Sequence, residues 1–521
     1  MGLARTLAVT LTGLAGHIVD VEAHATQGLP GFTLVGLPDA AVRESRERVR
    51  AALSTCGVTW GEQRLTVNLS PADLRKTGTG LDLALALAVL GARGQLGRSA
   101  AGLLGRTVYI GELGLDGSVH SVRGVLPCVQ AAVAAGVEEI VVAREACAEA
   151  ELVPGAQVTA IGHIGQLVDR YGGRLSPAVA AAVEQIAQAD DTGPARVEGG
   201  DPPDLADVVG QTEARQALEV AAAGGHHLIM VGPPGTGKTM LAERLPSILP
   251  PLEQPDAVTV TSIHSLAGTF NPAHGLITRP PLRAPHHTAT RAAVVGGGSG
   301  LPRPGDVSLA HRGVLFLDEA PEFSAGVLDC LRQPLESGTV TIDRVGGRAS
   351  YPAAFQLVLA ANPCPCGKAG GRGLECTCTS LQRRRYFSRL SGPLLDRVDI
   401  QVEVAPVSAS DLAHPARSEP SAVVAQRVLR ARRAAKHRLA GTPWRLNAEV
   451  PGSYLRGPDG GLSAPLSRRL MSALERGDLS LRGVDRVLRV AWTLADLEGA
   501  EALSLTHIGT ALALRTSGAR S

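Results

Sequence analysis

One short segment, preceded by a run of apolar residues, constrains the fold of this chain more than any other. Residues 228–231 (LIMV) have the pattern of a short buried strand, and residues 232–239 (GPPGTGKT) follow at once. A G-x-x-x-x-G-K-T loop between a strand and a helix turns backbone N–H groups inward around phosphates. The sequence therefore predicts a nucleoside triphosphate site at the end of a strand in an α/β sheet.

The residue types in this loop predict ATP and Mg²⁺ as cofactors. Lys238 is expected to reach the β- and γ-phosphates and Thr239 to ligate Mg²⁺, while the helix that follows adds a favourable dipole. The residues assigned to nucleotide binding are Gly232, Pro233, Pro234, Gly235, Thr236, Gly237, Lys238, Thr239 and Met240.

Two further apolar runs end in polar residues that suit ATP hydrolysis. Residues 314–317 (VLFL) lead into Asp318 and Glu319, about 80 residues after the loop. Asp318 is predicted to hold Mg²⁺ through the coordination shell of the ion, and Glu319 is predicted to orient and polarise the attacking water. Residues 357–361 (LVLAA) lead into Asn362, which is predicted to sense the γ-phosphate; the alternative is a turn-forming asparagine before a proline.

Composition limits the function classes. Hydrophobic residues make up 44% and charged residues 19% of the 521, and no apolar run reaches the ~18 residues of a membrane span, so no membrane partner is expected. A net charge of +2 leaves nucleic acid binding undecided. The four scattered cysteines are read as buried apolar residues of a reducing compartment, which predicts a cytoplasmic protein.

The chain length predicts three or four domains. Residues 1–175 alternate short strands with alanine-rich helices, and residues 176–204 contain the best linker, rich in Asp, Gly and Pro. Residues 205–405 have the α/β alternation of a P-loop core, and residues 406–521 are mostly helical. The predicted fold class is α/β with an α+β amino-terminal domain and a helical carboxyl-terminal domain.

Several long strings make the chain resemble the ComM/YifB family of magnesium-chelatase-like AAA+ proteins over essentially its whole length. They are residues 28–39 (GLPGFTLVGLPD), 42–49 (VRESRERV), 67–76 (VNLSPADLRK), 283–288 (RAPHHT), 296–298 (GGG), 304–319 (PGDVSLAHRGVLFLDE), 362–367 (NPCPCG) and 391–397 (SGPLLDR).

This resemblance implies an amino-terminal domain of the Lon-protease type, a AAA+ core and a helical lid, assembled as a homohexamer. It implies an ATP-dependent DNA motor that promotes branch migration when incoming DNA recombines in natural transformation. Two alternatives stay open: a chelatase-like ATPase that remodels a protein partner, and a purely regulatory nucleotide switch.

The resemblance implies functions for two arginines. Arg397 matches the segment that carries the arginine finger of AAA+ rings, which acts on a neighbour's nucleotide; the alternative is a surface ion pair with Asp396 or Asp399. Arg482 matches the nucleotide-sensing arginine of the lid, and Arg486 or Arg489 could replace it.

The amino-terminal domain is not expected to be a protease. A Lon-type Ser–Lys dyad needs a nucleophile and a base. Against the Lon segments, Gly80 stands at the serine position and Leu126 at the lysine position. We therefore interpret the domain as a binding or assembly module.

Four cysteines lie close together in a glycine-rich segment. Cys364 and Cys366, then Cys376 and Cys378, form a C-x-C…C-x-C pattern that predicts a structural Zn²⁺ site. The alternatives are a reducible disulfide pair or four free thiols.

Two insertions in the core carry the residues predicted to contact DNA. One, from about Ser262 to Gly305, contains Arg283, and the other, residues 339–351 (TVTIDRVGGRASY), has a hairpin pattern whose turn lies between Arg344 and Arg348. In a ring both would face the pore, where arginines can follow a phosphate backbone whatever its sequence. The alternative is ordinary solvated arginines.

Overall fold

The fold was described from a computed structural model. The described residues are 2–98, 100–188, 203–298, 302–344, 347–369, 376–407 and 418–516.

The amino-terminal unit is built on a seven-stranded mixed sheet with the order β3-β4-β2-β1-β5-β8-β9. Strands β1, β2 and β4 are paired antiparallel, and β3, β5, β8 and β9 join in parallel. The unit's strands are β1 (Gly2–Thr12), β2 (Ala15–Gln27), β3 (Gly31–Val35), β4 (Gln63–Ser70), β5 (Thr107–Ile110), β6 (Glu112–Leu113), β7 (Val119–His120), β8 (Glu139–Ala143) and β9 (Val158–Ile161).

Helices cover both faces of this sheet and bury two apolar clusters against it. They are α1 (Ala40–Thr55), α2 (Asp82–Ala92), α3 (Ala100–Leu104), α4 (Val125–Ala134), α5 (Cys147–Ala150), α6 (Ile164–Arg170) and α7 (Pro177–Gln188). Helix α7 falls within the predicted linker 176–204, and its Val179 and Val183 pack into the amino-terminal core. The first part of that range therefore belongs to the folded unit; residues 189–202 lie outside the described residues.

The second unit contains a five-stranded parallel sheet with the order β11-β14-β17-β10-β18. Alternate residues of its central strands face two different cores, as in a sheet covered on both sides. The strands are β10 (Leu228–Val231), β11 (Leu282–Arg283), β14 (Val314–Leu317), β17 (Gln356–Ala361) and β18 (Ile400–Glu403). The three strands expected from apolar runs are confirmed.

Two antiparallel hairpins stand apart from this sheet: β12 (Gly296–Gly297) with β13 (Arg303–Pro304), and β15 (Thr339–Arg344) with β16 (Gly347–Pro352). The second confirms the predicted hairpin, although Val345 and Gly346 of its turn lie outside the described residues. The helices of this unit are α8 (Thr212–Gly224), α9 (Lys238–Ile248), α10 (Gln254–Ala267), α11 (Arg291–Val295), α12 (Asp306–Leu309), α13 (Ala325–Cys330), α14 (Arg332–Ser337), α15 (Ser380–Phe387) and α16 (Gly392–Leu395).

The described carboxyl-terminal residues are helical. Their helices are Ser421–Arg438, Gly452–Leu455, Ala464–Glu475, Leu481–Glu498 and Leu505–Thr516. They share one apolar core with α8, α9 and one face of the parallel sheet. Short 3₁₀ helices occur at Arg144–Ala146, Leu205–Asp207, Pro272–His274, Ala320–Glu322, Asn447–Glu449 and Pro458–Gly460.

The amino-terminal unit docks on α10 of the second unit. The Ser265 hydroxyl donates to the Glu149 carboxylate, and the Ser262 hydroxyl donates to Gln130 Oε1 at 3.2 Å. Leu14, in the turn between β1 and β2, packs against the core beneath the β15–β16 hairpin. Within the described part of the chain, no helix combines the length and apolar character that a membrane crossing requires.

Candidate functional site

The two edges of the parallel sheet carry different sets of predicted site residues. Because the strands run in one direction, everything that follows a strand lies at one edge and everything that precedes a strand lies at the other. The carboxyl edge carries the phosphate loop after β10, the acidic pair after β14 and Asn362 after β17. The amino edge carries Arg397, three residues before β18.

The phosphate loop adopts a conformation that can cradle an anion. Gly235 and Gly237 have φ of +78° and +87°, a region open to glycine, and helix α9 begins at Lys238 directly after them. Lys238 is 8% exposed, and its ammonium group donates to the carbonyl of Gly232 at 2.6 Å and that of Pro233 at 2.9 Å. Burial lowers the pKa of Lys238, and the nearby carboxylates oppose that shift. The backbone N–H groups of the loop and the Lys238 ammonium thus converge at the place where the phosphates are predicted to bind.

The predicted magnesium ligands are brought together. Thr239 Oγ1 donates to Asp318 Oδ2 at 2.7 Å, although the two residues are distant in sequence. The other carboxylate oxygen of Asp318 accepts from the backbone N–H of Glu319 at 2.9 Å, which orients the group. Hydroxyl and carboxylate oxygens are the donors that Mg²⁺ prefers, so this pair fits the predicted ion. Met240 follows on α9 with its side chain 41% exposed.

Asn362 and Glu319 reach the same edge. Asn362 Oδ1 lies 3.3 Å from Lys238 Nζ and accepts a hydrogen bond from it. Glu319 has φ 50° and ψ 44°, a left-handed backbone that is uncommon outside glycine and that turns the chain away from β14. Its Oε2 lies 3.4 Å from Nδ1 of His287. No local sequence pattern pointed to His287 as the partner of Glu319.

Sequence reasoning also missed Gln211. Its amide donates to the carbonyl of Thr236 in the phosphate loop at 3.1 Å and to that of Ala405, just beyond β18, at 2.6 Å. Gln211 has φ +54° and precedes α8. It ties the loop to a neighbouring strand that is far away in sequence, so only the fold could identify it.

Arg397 lies at the opposite edge of the sheet from the phosphate loop of its own chain. Its guanidinium forms an ion pair with Glu336 and donates to the carbonyl of Pro393, while the alternative pairs with Asp396 or Asp399 do not form in the described residues. Burial and the positive charges of Arg482, Arg486 and Arg332 lower its pKa. The positive charges of this arginine cluster favour the binding of an additional anion there.

Arg482 lies beside Arg397 and not beside the phosphate loop. It is the second residue of the helix Leu481–Glu498, its side chain is 76% exposed, and its guanidinium is 3.8 Å from Asp396. Both arginines line a cavity of about 1070 Å³ between the amino edge of the sheet and the carboxyl-terminal helices. Arg397 and Arg482 therefore face the same side of the sheet.

A buried polar network anchors this arginine cluster. Asp399 accepts from Arg486 Nη1 at 2.7 Å and lies 3.0 Å from His226 Nδ1, and His226 Nε2 lies 2.7 Å from Thr493 Oγ1. Burial raises the pKa of the Asp399 carboxyl, but Arg486 and His226 outweigh it and hold that pKa far below its usual range. The network joins the start of β18 to the helix Leu481–Glu498, which sets the position of Arg482 relative to Arg397.

The four clustered cysteines have the geometry of a metal site. Their sulfur atoms all lie within 4.8 Å of one another, with Cys364 3.3 Å from Cys366 and 3.7 Å from Cys376, and Cys378 completes the set. Sulfur atoms around a tetrahedral Zn²⁺ are about 3.8 Å apart, given a Zn–S bond of about 2.3 Å. The thiols therefore fit this ion.

The cysteine cluster lies against the phosphate loop. Gly367 has φ +77°, and a β-carbon at that position would fall 2.7 Å from Cδ of Pro234. A shift of the cysteine segment would therefore displace Pro234 of the phosphate loop by direct contact.

The residues predicted to contact DNA are found in different environments. Arg283 makes an ion pair with Asp306 at 2.7 Å within its own unit. On the β15–β16 hairpin, Arg348 lies 3.6 Å from Asp343, and both side chains are largely exposed. Arg344 ends β15, and its side chain lies outside the described part. Helix α10 extends to Ala267, so the first insertion begins later than the predicted Ser262.

The two positions compared with a protease dyad carry no chemistry of that kind. Leu126 is fully buried in the amino-terminal core, and Gly80 lies 3.5 Å, measured from a constructed β-carbon, from Val122. The prediction of a module without proteolysis stays a prediction.

Comparison with known protein families gives matches along most of the chain. Residues 204–412 match the family described as magnesium chelatase, subunit ChlI, residues 21–146 match subunit ChlI of Mg-chelatase, and residues 418–515 match the carboxyl-terminal family of magnesium chelatase subunit ChlI.

Full-length relatives occur among curated proteins. An uncharacterized protein of Mycobacterium tuberculosis is 50% identical over 520 residues, which is 100% of both chains. Competence protein ComM of Haemophilus influenzae is 39% identical over 516 residues, covering 99% of this chain and 98% of the relative. The uncharacterized protein YifB of Salmonella typhimurium is 39% identical over 516 residues, covering 99% and 97%.

Proposed function

The chain belongs to the ComM/YifB family of magnesium-chelatase-like AAA+ proteins, and from that premise we propose that it is a ring-forming, ATP-driven DNA motor. The family indicates an ATPase that uses ATP and Mg²⁺. The finer proposal is a homohexamer that promotes branch migration of DNA, with a role in natural transformation suggested by the competence name of one relative. No disulfide bond forms among the described residues, which include all eight cysteines, and this supports a cytoplasmic setting.

Hydrolysis would use the residues at the carboxyl edge of the sheet. Lys238 and the loop N–H groups bind the phosphates, and Thr239 and Asp318 hold Mg²⁺, which neutralises charge that develops on the phosphoryl oxygens. Glu319 orients the attacking water, and Asn362 contacts the γ-phosphate. Glu319→Gln should therefore bind ATP normally and hydrolyse it very slowly, whereas Lys238→Ala should lose ATP binding. Wild-type turnover in both variants would contradict the assignment.

The observation that carries the ring proposal is the separation of the arginine pair from the phosphate loop. Arg397 and Arg482 lie together at the amino edge, while Lys238 lies at the carboxyl edge of the same sheet. One chain thus offers half of a site at each edge. A head-to-tail ring would complete each site with a neighbour's arginines. Hexamer formation with a slowly hydrolysed ATP analogue can be measured by light scattering; a strictly monomeric protein would refute the ring.

The β15–β16 hairpin is our candidate for the DNA contact. It projects from the segment between β14 and β17, the two strands that carry Glu319 and Asn362, so a movement of either strand on hydrolysis must reach the hairpin. Arg344 and Arg348 flank its turn, and Arg283 is the second candidate. Arginines at such a position can bind the phosphate backbone without reading sequence.

The test is whether forked or single-stranded DNA stimulates ATP hydrolysis, measured at two salt concentrations. Arg344→Ala/Arg348→Ala should keep the basal rate, because neither residue is among those assigned to nucleotide binding or hydrolysis, but should lose the stimulation. Each lost phosphate contact should also flatten the salt dependence of DNA binding by about one unit of slope. Arg106→Ala is the matched control, since this exposed arginine pairs with Glu138 in the amino-terminal unit. Hydrolysis indifferent to DNA would favour a chelatase-like ATPase acting on a protein partner.

We also propose that the cysteine cluster holds a structural Zn²⁺. The geometry of the four sulfur atoms supports it, because four thiolates around one ion are a donor set of structural zinc sites. Elemental analysis should find about one zinc per chain, and Cys364→Ser/Cys376→Ser should remove it. Cys56→Ser, at a buried cysteine outside the cluster, is the control. Wild-type protein with four free thiols and no metal would refute the site.

The amino-terminal domain is proposed to be a Lon-type fold that serves assembly or binding. It docks on α10 through Glu149 of α5 and beneath the hairpin through Leu14, which suits a module that supports the motor rather than one that cleaves peptides.

A further inference from the structure

The first of the carboxyl-terminal helices, Ser421–Arg438, presents cations to solvent along one side. Its opposite side is buried through small and apolar residues, among them Val424, Val428, Ala431 and Ala435. Arg430, Arg433 and His437 are exposed. Because residues three and four positions apart lie on the same face of an α-helix, these side chains form one row, which we call the basic stripe. The stripe extends over about 10 Å, the axial length of about three phosphates on one DNA strand.

The cations of the basic stripe are available to an external anion. Other cations of the same helix are engaged, since Arg427 pairs with Glu219 at 2.6 Å and Lys436 pairs with Glu253 at 3.1 Å. Within the described part of the chain, by contrast, the side chains of the stripe form neither an ion pair nor a hydrogen bond. The helix itself contains no Asp or Glu. A guanidinium group without a carboxylate partner can take a phosphate in its place.

The composition of the basic stripe favours phosphate groups over a protein surface. The centre of a protein interface usually contains aromatic or apolar side chains and few charges. The exposed apolar residue Val423 lies about two turns before Arg430, beyond the stripe. Guanidinium groups bind phosphates by paired hydrogen bonds, and an imidazole adds a further donor. A basic row without an apolar centre therefore fits a phosphodiester backbone, whatever its base sequence.

The basic stripe and the β15–β16 hairpin lie on opposite sides of the parallel sheet. The helix Ser421–Arg438 shares its apolar core with Leu228 and Met230 of β10. The hairpin packs into the core that contains Ile229 and Val231 of the same strand. Successive residues of a strand point to opposite faces of the sheet. A DNA molecule with two separate arms could thus contact both elements, with one arm on each side of the sheet.

We propose that the basic stripe binds the phosphate backbone of a second arm of branched DNA while the hairpin binds the first arm. The inference rests on the proposed DNA-motor function and adds a site in a different domain. Arg433 also borders the cavity that Arg397 and Arg482 line, so the competing occupant is a neighbouring copy of this chain. The experiment separates these two occupants.

The test measures binding of forked DNA and of a short oligothymidylate by fluorescence anisotropy over a range of salt concentrations, with a slowly hydrolysed ATP analogue present. Arg430→Ala/Arg433→Ala should lower the salt slope for forked DNA by about 1.4–1.8 units, the value for two lost contacts to single-stranded or duplex backbone. With curves that meet at about 1 M salt, this is roughly 25–60-fold weaker binding at about 0.1 M. Binding of the oligothymidylate should be unchanged, because a single short strand occupies the hairpin.

Two control variants isolate the charge of the stripe. Arg43→Ala/Arg46→Ala removes two exposed arginines with the same spacing from α1, where Arg46 pairs with Glu47. It lowers the net charge equally and should bind both DNA molecules as the wild type does. Arg430→Lys/Arg433→Lys should keep most of the salt slope, since counterion release depends on charge.

An unchanged salt slope for forked DNA in the alanine variant would overturn the role of the stripe and leave the DNA-motor proposal standing. Equal losses for forked DNA and oligothymidylate would overturn the assignment to a second arm. Loss of ring formation in light scattering would show that the stripe contacts a neighbouring copy, and would overturn the DNA contact. Wild-type protein that binds neither DNA would refute the proposed motor and this inference with it.

Discussion

The opposite placement of Arg397 and Lys238 on one sheet leads to a quantitative prediction for mixed rings. An arginine finger supplied by a neighbour is worth about 10³–10⁵ in rate, or roughly 4–7 kcal/mol of barrier. Arg397→Ala should therefore abolish measurable ATPase. Its cost in stability should stay below about 1 kcal/mol, because Glu336, the partner that it leaves, is mostly solvated.

Mixing this variant with Lys238→Ala should restore part of the activity. An active interface needs an intact Lys238 on one subunit and an intact Arg397 on the next. In randomly mixed 1:1 rings about one quarter of the interfaces join the two intact parts. The ATPase rate, plotted against the mole fraction x of one variant, should follow x(1 − x) with its maximum at equal amounts.

The same titration with Arg482→Ala in place of Arg397→Ala tests the second arginine. Because Arg482 lies beside Asp396 at the amino edge, it should give a curve of the same shape. Glu336→Gln is the control, since it breaks the ion pair of Arg397 but leaves the guanidinium in place, and it should keep near wild-type activity. If both mixtures stay inactive at every ratio while the variants still form rings, Arg397 acts within its own subunit and the reasoning fails.

Three further predictions concern stability and the nucleotide loop. Burial lowers the pKa of His311 to about 4, and its Nδ1 accepts from the backbone N–H of Ala354 at 3.0 Å, so the neutral ring is favoured in the folded state. In the unfolded chain this histidine has a pKa of about 6.5 and therefore binds more protons than in the folded protein as the pH falls. The free energy of unfolding should thus fall by about 2 kcal/mol between pH 7.5 and 5 through this residue. His311→Asn should flatten this dependence of stability on pH, as measured by thermal unfolding. Gly367→Ala should displace Pro234 and weaken binding of a fluorescent ATP analogue severalfold at unchanged zinc content, and unaltered affinity would contradict the contact. Asp399→Asn should cost about 3 kcal/mol in denaturant unfolding, since it leaves buried cationic partners without their counter-charge, and a loss under 1 kcal/mol would argue against the network.

Local patterns were enough to predict the residues of the candidate nucleotide site and the sheet edge at which they lie. The glycine-rich loop, the acidic pair and Asn362 each follow a continuous apolar run, and in a parallel sheet such runs must end at a common edge. The strands at 228–231 and 314–317 and the hairpin were predicted for the same reason, because their residues carry the pattern within a few positions. The four cysteines were likewise recognised from their spacing alone.

Contacts between residues distant in sequence were decided by the tertiary structure. No local pattern links Gln211 to Thr236, or His287 to Glu319, because each contact joins segments that are separated in sequence and meet only in the folded domain. The helix α7 in the predicted linker is stabilised by packing against the amino-terminal core, which its alanine-rich composition does not reveal.

The direction in which the arginines face also depended on the fold. The sequence by itself determined which chemical groups this protein brings to a nucleotide, since loop, strand and capping preferences act over a few residues. Whether Arg397 and Arg482 meet their own phosphate loop or a neighbour's depends on the order and direction of five strands and on a buried network around Asp399. Those are properties of the packed sheet, because only burial on both faces fixes the order of its strands and thereby separates its two edges.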